Sequence, residues 1–230
     1  HTKFSDKESA LIQYDFAKWI CNADRKCAVE IFTTNYDYLF EIGLEANGVP
    51  YFDGFTGSYK PFFNADALED IDYLSKQTKL WKIHGSLGLH KDNTSGRIIR
   101  MSSDKDDLLI YPSSLKYNDS KKQPYSAFMD RLNLFLKQDD SVLFVCGYSF
   151  GDEHINERIF SALQTNTTAH VFVLNYDVVW NKDENGKDVS TASFNADCNL
   201  GKLASRNRKI SVLSTRSAII GGQYGEWKIR

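Results

Sequence analysis

The run Val142-Leu143-Phe144-Val145-Cys146 has no polar side chain on either parity. A strand with one wet face alternates apolar and polar residues, so a run like this predicts burial on both faces. Cys146, inside it, is expected to be a small buried hydrophobe. Similar short runs recur at Ala28–Thr33, Leu80–Ile83, Leu108–Tyr111 (closed by Pro112), Val171–Leu174 and Ile210–Leu213. Helical spacing marks the segments between them. It is expected from about Asp6 to Cys21 (Ile12, Phe16, Trp19, Ile20), from Tyr38 to Leu44 with a stop at Asn47-Gly48-Val49-Pro50, from Tyr125 to Gln138, and from about His154 to Leu163. Apolar strands alternating with amphipathic helices predict an α/β fold: a Rossmann-like, doubly wound parallel sheet with helices on both faces.

Three stretches depart from that rhythm. Residues 48–79 are rich in aromatics and glycine (Tyr51, Phe52, Gly54, Phe55, Gly57, Tyr59, Phe62, Phe63) and are expected to form a small inserted cap. Asn181–Asp197 is polar and reads as a solvent loop, and Gly221–Gly225 as a turn or an end. With no internal repeat, residues 1–230 are read as one domain carrying that insertion.

In open parallel sheets, ligands bind beyond the carboxyl ends of the strands. Four small polar groups fall there: Thr33-Thr34-Asn35-Tyr36-Asp37, His84-Gly85-Ser86, Gly147-Tyr148-Ser149-Phe150-Gly151-Asp152 and Asn175-Tyr176-Asp177. Singly, each has an ordinary explanation as a turn or a helix cap. Together they predict one polar rim. His90 is expected in an exposed polar loop, and His154 in the first turn of a helix beside Asp152 and Glu153, where capping and surface roles are expected.

Composition narrows the partners. The formal charge is only −2, with 28 Lys and Arg against 30 Asp and Glu, which argues against binding driven by nucleic-acid phosphates. Lys202, Arg206, Arg208 and Lys209 form a basic stretch that reads as a solvated helix end. Cys21, Cys27, Cys146 and Cys198 make no C-x-x-C pair, so no zinc is expected. Scattered thiols fit a reducing cytoplasm. No apolar run is long enough to span a membrane.

The rim groups also carry a family resemblance. Thr33-Thr34-Asn35-Tyr36-Asp37 is similar to the sirtuin motif Thr-Gln-Asn-Ile-Asp. Lys82-Ile83-His84-Gly85-Ser86 resembles the segment holding the sirtuin active-site histidine. Gly147-Tyr148-Ser149 is similar to the Gly-Thr-Ser ribose loop, and Leu174-Asn175 to the Ile-Asn pair near the adenosine. The order agrees from about residue 28 to residue 177. The wording Gly-Tyr-Ser-Phe-Gly-Asp-Glu-His-Ile-Asn most resembles a bacterial sirtuin-like branch associated with anti-phage defence, whose members degrade NAD.

What the resemblance implies is an NAD-binding domain with Asn35 and His84 as catalytic residues and Thr33, Asp37, Gly147, Ser149 and Asn175 as binding residues. NAD would be the substrate, cleaved to nicotinamide and ADP-ribose. Control by a regulatory domain or partner protein outside this chain is expected, as is a homo-oligomer. Three departures bear on this. The zinc-binding cysteine pairs of the deacylases are missing, Thr34 stands where they have Gln, and the glycine loop that cradles the pyrophosphate does not occur ahead of the first helix. The chain is accordingly expected to be part of a longer protein. An NAD-dependent protein deacylase and a non-catalytic ADP-ribose or NAD-binding module remain the alternatives.

Overall fold

The structure is a computed structural model that describes residues 5–69, 76–101, 108–109, 123–184, 186, 188–192 and 194–227. The chain divides into two compact units, His1–Arg131 and Leu132–Arg230. Among the described residues no helix is long and apolar enough to cross a membrane.

Unit 1 begins with a 3₁₀ turn, Ser5–Ala10, followed by helix α1 (Ile12–Cys21). The α-helix thus starts later than the spacing predicts. Next come β1 (Glu30–Thr33), α2 (Leu39–Ala46), β2 (Tyr51–Phe52), β3 (Phe55–Thr56), β4 (Phe62–Phe63), α3 (Asp66–Glu69), β5 (Thr78–Lys82), β6 (Leu89–Lys91) and β7 (Ile98–Arg100). Helix α4 (Tyr125–Lys137) contains the boundary between the units. Strands β1 and β2 flank β5, both parallel to it, and β3-β4-β7-β6 is a separate antiparallel sheet. Of the strand expected at Leu108–Tyr111, Leu109 makes an isolated bridge to Gly85 and Leu108 N donates to Leu89 O (2.8 Å), while Ile110 and Tyr111 lie outside the described residues.

Every residue of β5 is buried. Leu80 joins a cluster with Ala17, Ile20, Ile31, Leu44 and Val49, which packs α1 and α2 against the sheet. Trp81, of opposite parity, joins Phe52, Ala67, Leu68 and Phe128. Full burial of a Leu or Phe side chain contributes about 1.5–3 kcal/mol, so these two clusters anchor β5 and its carboxyl end.

Unit 2 contains β8 (Val142–Cys146), α5 (Glu153–Thr165), β9 (His170–Leu174), β10 (Val178–Lys182), β11 (Asp188–Ala192), α6 (Asn199–Arg206), β12 (Ile210–Leu213), β13 (Ser217–Ile220) and β14 (Gln223–Glu226). Its sheet runs β14-β13-β12-β9-β8, parallel across β12, β9 and β8 and antiparallel through β13 and β14. Val145, Val171, Val173 and Val212 are buried, as are Ile155, Ile159 and Leu163 of α5.

Three expectations are corrected here. Val142, Phe144 and Cys146, the other parity of β8, are exposed, so Cys146 is not a buried hydrophobe. An all-apolar run does not say which parity is covered, and among the described residues β8 stands at the edge of its sheet. The supposed loop over Asn181–Asp197 holds most of an antiparallel ribbon, β10–β11, with Trp180 opposite Ser190. The stretch Gly221–Gly225, read as a turn or an end, is a turn at Gly221 and Gly222 that leads into β14. His90 lies within β6, half-buried, with Nε2 3.0 Å from the Met101 carbonyl.

Candidate functional site

The parallel pairing of β1 with β5 puts Thr33 opposite Lys82. One further bond, Ile83 N to Thr33 O at 2.9 Å, carries the ladder to the strand ends. Thr33, Asn35 and Asp37 therefore leave the sheet beside His84. Thr33 is buried, and its Oγ1 accepts from Asn35 N (3.1 Å), turning the chain so that the Asn35 side chain is exposed. Asp37 Oδ1 accepts from Leu39 N (3.0 Å) at the start of α2. That bond is an Asx turn one residue ahead of the N-cap Tyr38, and the helix N-terminus also favours the negative charge.

The two loops are tied directly. Leu87 N donates to Tyr36 O (3.0 Å), and Tyr38 Oη donates to the Leu87 carbonyl. Gly85, next to half-buried His84, has φ +90°. A Cβ there would lie 2.2 Å from the Leu108 carbonyl oxygen and 3.0 Å from the Tyr125 ring, so only glycine fits.

Beneath these loops sits a charge that the motif reading overlooks. Lys82 is 6% exposed, and its ammonium pairs with Glu41 Oε1 at 2.6 Å. It also donates to the Asp37 carbonyl and to Ser86 Oγ (3.2 Å), and lies 4.9 Å from the Tyr38 ring centre. Burial pushes the Glu41 carboxyl up, against the lowering effect of Lys82. Burial likewise pushes Lys82 down, against the raising effect of Glu41. The sequence signal was available: a lysine within the apolar run Leu80-Trp81-Lys82-Ile83 needs a buried partner.

In unit 2, β8 and β9 pair in parallel with Cys146 opposite Leu174, so Gly147 and Ser149 emerge beside Asn175. Gly147 has φ +69° with open space where a Cβ would stand, and Ser149 is exposed. Phe150 holds φ +57°, a left-handed conformation unusual for a bulky residue. Asn156 fixes it. Its Nδ2 donates to Phe150 O (2.8 Å), while its Oδ1 accepts from Tyr148 Oη (2.8 Å). Burial pushes the Tyr148 phenol up from its ordinary value, keeping it a donor. Asp152 caps α5 through His154 N (3.3 Å), as expected of that pair. Asn175 donates from N to Leu213 O (2.8 Å) and from Nδ2 to Ser214 Oγ (3.1 Å). Asn156 closes the quoted run Gly-Tyr-Ser-Phe-Gly-Asp-Glu-His-Ile-Asn but was given no role from sequence, and Ser214 was not singled out. Asn156 reads as a helix-surface residue, and Ser214 follows a strand whose end carried no motif.

The seven candidate residues thus fall into two groups, each at neighbouring parallel strand ends. Thr33, Asn35, Asp37 and His84 belong to unit 1, and Gly147, Ser149 and Asn175 to unit 2. A family model described as the SIR2-like domain matches residues 29–199, well over half of the chain and all four rim groups. The chain belongs to the SIR2-like family. No curated protein matches it. Membership in the SIR2-like family points to NAD-related chemistry, consistent with a mixed α/β fold whose polar groups gather at parallel strand ends. Among the described residues no group of three or more His, Cys, Asp or Glu side chains could hold a metal ion.

Proposed function

We propose that this SIR2-like chain is an NAD glycohydrolase, releasing nicotinamide and ADP-ribose. The observation that carries the reading is the pairing of β1 with β5, which brings Asn35 and Asp37 beside His84 on loops bonded to each other. The bond to be cleaved joins a cationic pyridinium to ribose, and it breaks through an oxocarbenium-like state. Asn35, exposed and held by its turn, orients a water below C1′. His84 takes the proton as the water oxygen bonds to C1′, and the bonding pair of the C–N bond leaves with nicotinamide. An imidazole, with an ordinary pKa of about 6.5, suits that task near neutral pH. Asp37, with one oxygen on Leu39 N, offers the other to the carboxamide.

Thr33 acts by shaping the turn. The Gly147–Ser149 loop and Asn175 are assigned to the ribose hydroxyls. Gly147 leaves open space where a side chain would otherwise stand. We assign β3 and β4 to the cap expected around residues 48–79 and extend that cap to their sheet partners β6 and β7 beyond it, on one doubly wound NAD-binding domain. The resemblance to anti-phage sirtuin-like proteins supports a role as an NAD-depleting effector in a bacterial cytoplasm, regulated by a further domain or partner and acting as a homo-oligomer.

The test is nicotinamide release by full-length protein with and without an acetylated peptide. Release independent of peptide is expected. Release that requires the peptide and yields O-acetyl-ADP-ribose would identify a deacylase, and tight NAD binding without turnover a binding module.

A further inference from the structure

The Lys82–Glu41 pair does more than fill the space under the rim. All three ammonium protons of Lys82 have acceptors: Glu41 Oε1, the Asp37 carbonyl and Ser86 Oγ. Two of these lie on different rim loops, Asp37 on the one after β1 and Ser86 on the one after β5. Both partners are nearly removed from water, with side chains 7% and 13% exposed. Among the described residues Glu41 Oε2 is buried with no hydrogen-bond partner, while Oε1 pairs with Lys82.

Burial is the largest influence on both groups and opposes their charged forms. A buried ion pair of this kind is a poor stabiliser compared with apolar residues of similar volume. Its bonds go to the loops that carry Asn35, Asp37 and His84. We propose that Lys82, oriented by Glu41, is a positioning residue that locks the two rim loops in the geometry needed for cleavage. This rests on reading the unit 1 rim as the NAD site.

The test separates position from stability. Lys82→Met alone leaves Glu41 buried and unpaired, so it is expected to lower the unfolding temperature. The double variant Lys82→Met with Glu41→Leu removes both charges and is expected to unfold at or above the wild-type temperature. Hydrogen exchange is then followed at the amides of Leu39 and Leu87, which donate to Asp37 Oδ1 and Tyr36 O.

In the double variant exchange at both amides should rise at least tenfold, with amides of the β8–β9 ladder unchanged. At saturating NAD, kcat should stay at least tenfold below wild type despite the recovered stability. Should the double variant not fold, Ser86→Ala removes one tie and is expected to raise exchange at Leu87 several-fold. Wild-type exchange at the rim amides in a folded double variant, or at Leu87 in Ser86→Ala, would overturn the proposal. So would full recovery of kcat. Absence of NAD cleavage by the wild type would instead defeat the glycohydrolase reading, and the exchange measurement would still decide the positioning role.

Discussion

The two rims are built by different means. In unit 1 the loops after β1 and β5 rest on a buried ion pair and on a glycine with no room for a Cβ. In unit 2 the loop after β8 is held by neutral hydrogen bonds from Asn156 around a left-handed Phe150, and its glycine faces open space. The difference matches the division of labour proposed for them. A water and a base must be held close to the reacting geometry, where about 1 Å of misplacement can cost 100-fold in rate. Hydroxyl recognition tolerates a looser frame.

The largest expected effect separates the two glycines. In Gly85→Ala the new Cβ meets the Leu108 carbonyl oxygen at 2.2 Å while φ stays at +90°. Left-handed strain and overpacking together predict a loss on the order of 3–5 kcal/mol. Gly147→Ala has nothing within 4 Å and should lose only the left-handed term, about 1–2 kcal/mol. Denaturant unfolding of both variants measures this. Equal losses would break the comparison.

Next in size is Asn156→Ala. It removes the bonds to Phe150 O and Tyr148 Oη, two neutral bonds of about 0.5–1.5 kcal/mol each. Steady-state kinetics should show KM for NAD rising several-fold with kcat nearly unchanged. A fall in kcat at constant KM would place the loop in the chemical step and erase the distinction between the rims.

The smallest effect is a pH dependence confined to unit 1. Glu41 is raised above 4.5 in the folded chain, so its contribution is fully present below 4.5 and is lost as pH rises through the folded value. Lys82 is lowered below 10.5, so its contribution is present above 10.5 and is lost as pH falls through the folded value. Wild-type stability relative to the Lys82→Met, Glu41→Leu double variant should therefore be least favourable between those two windows. It should improve towards either end. A difference independent of pH would show that burial does not govern the pair.

Much of this architecture was legible because burial leaves a pattern. The strands β1, β5, β8, β9 and β12 are short apolar runs, and α2, α4 and α5 show helical spacing. What failed was exposed structure. The β10–β11 ribbon, with Val179, Trp180 and Val189 all exposed, buries no consistent face and so shows no alternation. Its one sequence signal is Asn185-Gly186 between two β-prone stretches, a hairpin dipeptide. The rim residues were legible as polar groups following strands. Of their supports only Lys82 left a sign, as a charge inside an apolar run; its partner Glu41 lies within a helix, and only the fold brings the two to 2.6 Å.

The most direct measurement is nicotinamide release by the full-length wild type, Asn35→Ala and His84→Ala, with NAD binding followed in parallel. Positioned general-base help contributes about 100- to 10,000-fold. Turnover of both variants should fall within or below that range while NAD affinity changes little. Wild-type turnover in both variants would contradict the assignment of the unit 1 rim as the place where NAD is cleaved.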